Sequence, residues 1–214
     1  MSKFGEQGDQ PGQFYKPWGL AIDRDHDRIL VADRGTDRIK LWSLSEQLFL
    51  SCVGQNGSGD LEFNGPQGIA IDKQHHRIII ADTQNNRLVF LSSIDLSFLF
   101  SIGKPGSRPS EFYMPSGIAI DDDRHRIIVA DRDNNRLQSF THEGHHISSF
   151  DCGSERPFAV AFDEHRGLIA FSAGHRVHVI GANQWLADTF TWLPDRHRYA
   201  PSWMKQAVST MTMI

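Results

Sequence analysis

Three aspartates, Asp33, Asp82 and Asp131, stand 49 residues apart, and each is followed five residues later by an arginine: Arg38, Arg87 and Arg136. A carboxylate at a strand end can accept from the N–H groups of the turn that follows it, and a guanidinium beyond the turn can reach back. A device repeated at one fixed spacing is expected to be scaffold. A fourth copy keeps Arg176 but carries Ser172 where the acid is expected. Residues that differ between copies at matching loop positions are better candidates for recognition. After the acid these are Arg34, Gln84 and Arg132. Before each copy's first apolar run they are Tyr15, Lys16 and Trp18, then Asn64 and Gln67, then Tyr113, Met114 and Ser116, then Arg156 and Phe158. Rings interleaved with Arg, Asn and Gln suit splayed nucleobases: rings stack, amides read edges, and Arg pairs with phosphate.

Other chemistry is thinly represented. No nucleophile elbow, HExxH or phosphate-cradling glycine loop occurs, so no catalytic role and no cofactor is expected. Histidines gather in four charged turns, Arg24–Arg28, Lys73–Arg77, Asp121–Arg126 and Asp163–Arg166. A metal site would need several of these turns to converge. They read instead as solvated hairpin tips, with no metal. Cys52 and Cys152 form neither a disulfide framework nor a zinc spacing, which fits a reducing compartment.

The elements that carry these residues are short. Apolar runs of four to six β-prone residues, punctuated by Asp, Asn and Arg turns, read as strands in hairpins. IAIDKQHHRIIIADTQNNRLVF matches IAIDDDRHRIIVADRDNNRLQSF, and a more divergent copy begins at Pro157. Four strands are expected per copy: Gly19–Asp23, Arg28–Asp33, Arg38–Trp42 and Leu48–Val53 in the first, with matching runs in the second and third. Four antiparallel strands at a period of 40 to 50 residues are the mark of a propeller blade. The blades are expected over about 3–53, 54–102, 103–150 and 151–192. Phe14, Phe63 and Phe112, three residues before each Pro, would peg the crossover loops. Residues 181–214 break the pattern and form a terminal strand, cap or loose end, with Leu186–Trp192 a candidate strand and Ser202 a candidate helix start.

The chain has 214 residues, 39% of them hydrophobic, enough for one sizeable core. Its net charge of −4 gives no bulk attraction for nucleic acid or anionic membrane. Basic residues are nonetheless mostly Arg, which leaves local recognition of phosphate or carboxylate open. No 18-residue apolar run and no signal peptide are evident, so a cytoplasmic protein without a membrane partner is expected.

At KPWGLAID, ILVADRGTDRIKLW, SEFYMPSGIAID and RIIVADRDNNRLQSFTHEG the chain resembles the NHL-repeat β-propellers, in particular those of TRIM-NHL (Brat-like) proteins, over about residues 3–180. The resemblance implies an all-β toroid of four-stranded blades. Family toroids usually have six blades, so the four here imply either part of a larger toroid or atypical closure. In those relatives the loop face binds RNA. That makes Tyr15, Lys16, Trp18, Arg34, Gln67, Gln84, Tyr113, Arg132 and Arg156 the expected contacts, and post-transcriptional regulation the expected role. The alternative is recognition of protein partners for a ubiquitin ligase whose RING lies outside these residues. No small-molecule substrate is implied.

Overall fold

The computed structural model describes residues 4–182 together with Trp185. Three four-stranded antiparallel sheets and one three-stranded sheet follow one another along the chain, each a simple meander. Blade 1 comprises Pro17–Asp23, Arg28–Asp33, Arg38–Ser43 and Phe49–Val53. Blade 2 comprises Ile69–Asp72, Arg77–Asp82, Arg87–Ser92 and Phe98–Ile102, and blade 3 Pro115–Asp121, Arg126–Asp131, Arg136–Thr141 and His146–Asp151. Blade 4 contributes Pro157–Asp163, Leu168–Ala173 and Arg176–Gly181. The candidate strand at Leu186–Trp192 and the candidate helix from Ser202 lie outside the described residues.

Strands form here because β-branched and apolar residues alternate between two faces that are both buried. In blade 2, Ile78 and Ile80 face blade 1, whereas Ile79 and Ala81 face blade 3, and all four are fully buried. Three apolar clusters lie between successive blades: Leu30, Leu41 and Ile69 in the first, Phe90, Ile118 and Val129 in the second, Ile128, Leu137 and Phe171 in the third. No single blade could bury both of its faces alone, so the blade-to-blade contact is the core.

The first strands touch in succession, making them the innermost strands. Glycine permits that approach. A Cβ on Gly19 would land on the Gln67 carbonyl, one on Gly68 on the Ser116 carbonyl, and one on Gly117 against the backbone of Phe158 to Val160. Blade 4 carries the exposed Ala159 at this position. The crossover loops are held by the expected phenylalanines. Phe63 and Phe112 are fully buried, whereas Phe14 is half-buried and stacks on Trp42 at 5.5 Å.

Register corrects one expectation. Pro157 pairs with Ala173, as Pro17 pairs with Asp33, and Ala173 pairs with Arg176. The residue replacing the acid in blade 4 is therefore Ala173, not Ser172. The loop to Arg176 is two residues shorter than in the other blades, so the five-residue spacing of acid and arginine does not hold in blade 4.

Candidate functional site

Each repeated acid draws two segments together. Asp33, Asp82 and Asp131 are fully buried, and one oxygen of each accepts the backbone N–H of Tyr15, Asn64 or Tyr113 at 2.7–2.8 Å. The other oxygen takes Thr36 Oγ1 at 2.7 Å, or the side-chain amide of Asn85 or Asn134 at 2.8 Å. Arg87 Nε and Arg136 Nε reach Asp82 and Asp131 at 2.8 Å, and their outer nitrogens donate to the carbonyls of Ser58, Gly59 and Glu62, or of Ser107, Arg108 and Glu111. Acid and arginine together clamp the crossover loop. Burial pushes both carboxyls up, against these donors and the arginine charge.

Blade 1 departs from the pattern. Asp33 pairs with Lys40 Nζ at 2.7 Å, both side chains fully buried, and Lys40 also donates to the Gln13 carbonyl. Lys40 lies two residues beyond Arg38 on the same strand face, so its ammonium reaches the acid that spacing assigns to Arg38. Gln138 holds the corresponding place in blade 3 and gives Asp131 a further donor at 2.9 Å.

The clamp creates a rim. Backbone bonds from Gly35 to Tyr15, Gln84 to Asn64 and Asp133 to Tyr113 join the loop after each acid to the segment before each first strand. Both sets of candidate residues therefore emerge on one face. Trp18, Tyr113 and Tyr15 are 50%, 47% and 42% exposed. A bulge follows Pro17, and another follows Pro157, placing Trp18 and Phe158 at matching points of first strands. Their rings meet at 5.5 Å, with the Arg34 guanidinium 5.8 Å from Trp18 and the Arg132 guanidinium 5.8 Å from Phe158.

The other candidates sit around this cluster. Lys16, held in the left-handed region at φ 57, carries its ammonium 5.4 Å from the Tyr15 ring. Gln84 is exposed, with its amide over Gly65. Asp133 is engaged by Arg132 at 2.9 Å, and the exposed Arg156 lies 3.9 Å away. Asp37 is tied to Asn56 and the Gly65 N–H. Gln67 and Ser116 are exceptions: they are 2% and 1% exposed, beneath the rim rather than on it.

The opposite face differs from the expected solvated tips. His75 Nδ1 lies 3.0 Å from Asp72, and His142 Nδ1 approaches the same carboxylate at 2.6 Å from blade 3. His142 sits in the turn after a third strand, a segment absent from the four turns read as histidine-rich. The signal available was the clustering of His142, His145 and His146, but convergence on Asp72 depends on how two blades pack. Cys52 and Cys152 are free thiols, and burial pushes the Cys152 thiol up to about 12. Among the described residues, no helix is long and apolar enough to cross a membrane.

The fold has many structural counterparts. The structures of U3-55K and of the WD40 repeats of RRP9 each superpose with a TM-score of 0.65 at 13% identity over 79% of this chain. Hydrazine synthase from Kuenenia stuttgartiensis gives 0.64 at 13% identity over 84%. The chain spans about half the length of each, 50%, 49% and 48% respectively. At that identity the likeness concerns the fold. Residues 14–40, 63–89 and 112–140 each match the NHL repeat, and each match runs from a crossover phenylalanine through the acid into the third strand. Three segments of the chain thus match the NHL repeat, and its sheets fold as successive blades of a β-propeller.

Proposed function

We propose that this face is a recognition surface for single-stranded RNA, in a module without catalytic chemistry that acts in cytoplasmic post-transcriptional regulation, as the resemblance to TRIM-NHL proteins implies. The observation that carries the reading is the half-exposed Trp18, paired with Phe158 and flanked by the guanidiniums of Arg34 and Arg132. An unpaired base has a flat apolar surface and a phosphate beside it, and such a cluster offers a partner for each. The clamped backbone beneath fixes these side chains before binding, which reduces the ordering cost of association.

The test is fluorescence-anisotropy titration of labelled poly(U) and random-sequence RNA oligonucleotides. Trp18→Ala is expected to weaken binding about tenfold, in line with ~1–3 kcal/mol for one stacked base. Arg34→Ala and Arg132→Ala should each weaken it and reduce its salt dependence. With Asp133 offsetting one of the cations Lys16, Arg34, Arg132 and Arg156, a slope of about −2 in log affinity against log salt is expected at about −0.7 per phosphate. Unchanged binding in all three variants removes the assignment. No binding by the wild type overturns the reading and leaves the aromatic rim to a protein partner, such as the substrate of a ubiquitin ligase.

A further inference from the structure

An acid ends each of the first strands of blades 1 to 3: Asp23, Asp72 and Asp121. Blades 1 and 3 answer it with an arginine from the neighbouring strand. Arg28 Nη2 lies 2.5 Å from Asp23, and Arg126 Nε lies 2.7 Å from Asp121. In blade 2 the cross-strand partner of Asp72 is Arg77. Yet Arg77 Nη1 donates to the His142 carbonyl at 2.7 Å, and its guanidinium lies 5.4 Å from the Phe100 ring. Asp72 is met instead by the imidazoles of His75 and His142.

One residue makes the difference. Arg28 also donates to a carbonyl of the next blade, that of Ser93, and His142 stands 49 residues beyond Ser93. Where blade 2 presents a serine to blade 1, blade 3 presents an imidazole to blade 2, and that ring occupies the carboxylate that the arginine would otherwise take.

The result is chemically incomplete. Asp72 is fully buried, and among the described residues its carboxylate is met by imidazoles rather than by a guanidinium or ammonium. His142 is 2% exposed, and its Nε2 has no partner among the described residues. With Nδ1 directed at the carboxylate, Nε2 is a lone pair or an N–H without a counterpart. A divalent cation supplies positive charge for the acid and accepts an imidazole lone pair, from Nδ1 where Asp72 is itself a ligand or from Nε2 where Asp72 holds the rings from behind.

We propose that Asp72, His75 and His142 form a binding site for one divalent transition-metal ion of the zinc class, joining the hairpins of blades 2 and 3. One donor atom from each residue lies within 4.8 Å of the others. Two imidazoles and a carboxylate are a zinc-type donor set, with a fourth position for water. Tetrahedral zinc holds its ligand atoms ~3.3 Å apart, so the 3.0 Å contact of His75 with Asp72 would open by ~0.3 Å and the 2.6 Å contact of His142 by ~0.7 Å. Asp72 acts either as a ligand or as the carboxylate that orients both rings from behind. His75, with about a third of its side chain exposed, provides the path from solvent. The site lies on the face opposite the aromatic rim and is independent of RNA binding.

The test uses the full chain stripped with chelator and titrated with cobalt(II), followed by displacement with zinc. The expected result is one equivalent of cobalt with the intense visible bands of a four-coordinate ion, and a melting temperature that rises with zinc and falls back with chelator. His142→Ser installs the residue blade 2 already carries at this place and frees Arg77 to answer Asp72 as Arg28 answers Asp23. It should keep the fold and weaken binding at least tenfold, as should His75→Ala. Absence of stoichiometric binding by the wild type overturns the proposal, because the imidazoles then serve only to clamp two blades. Binding left unchanged by both variants overturns it equally, because the ion then sits elsewhere.

Discussion

The clearest energetic commitment at the scale of single residues is the buried pair of Asp33 and Lys40. Two charges without solvent exposure persist only because each satisfies the other and both find backbone partners. Removing the acid strands an ammonium in the interior. Asp33→Ala is therefore expected to lower unfolding free energy by about 3–5 kcal/mol, the usual cost of breaking a buried pair from one side. Adding Lys40→Met should recover part of that loss, and urea denaturation of the two variants measures both effects. The acid was legible in the sequence because it recurs at one spacing. Its partner was not, because the choice between Arg38 and Lys40 turns on which side chain shares the acid's face. The same limit hid His142, whose importance arises only when blade 3 is placed against blade 2.

At the scale of the strand, the sequence was far more informative. The expected second strands of the first three blades have the observed bounds, since a β-prone run between an Arg turn and a terminal Asp leaves little freedom. The first strands begin up to two residues earlier than expected in blades 1 and 3, where Pro17 and Pro115 already pair across a bulge. Bulges have no strong local signature, and here they set the positions of Trp18 and Ser116. Close approach of the first strands is the second feature of this scale. Gly68→Ala would drive a methyl group into the Ser116 carbonyl. A destabilisation of about 1–3 kcal/mol is expected, typical of overpacking, and a shift in the thermal or urea midpoint reads it. A wild-type midpoint would mean that the blades are not held as tightly as the fold requires.

For the whole molecule, the decisive feature is that blades 1 and 4 keep apolar side chains exposed at positions that the inner blades bury. Leu20 and Ile22 on blade 1 are 65% and 43% exposed, and Val177 and Val179 on blade 4 are 73% and 59% exposed. Ile69, at the position of Leu20 in blade 2, is only 7% exposed, because blade 1 covers it. The repeat thus provides its own control. Leu20→Asp should change stability by no more than about 0.5 kcal/mol, as surface substitutions do, whereas Ile69→Asp should cost several kcal/mol. Circular dichroism melts of the two variants separate these outcomes. The blade pattern was readable because every copy repeats it; the open faces were not, because exposure depends on what stands beside a strand.

These scales meet in the claim that loop-face aromatics recognise RNA. Its most direct measurement is ultraviolet cross-linking of the full chain to a uridine-rich single-stranded oligonucleotide, with the linked peptides identified by mass spectrometry. Links concentrated at Tyr15, Trp18, Tyr113 and Phe158 are the predicted result. Links confined to the histidine-bearing hairpins of the opposite face, or none under saturating RNA, would contradict it.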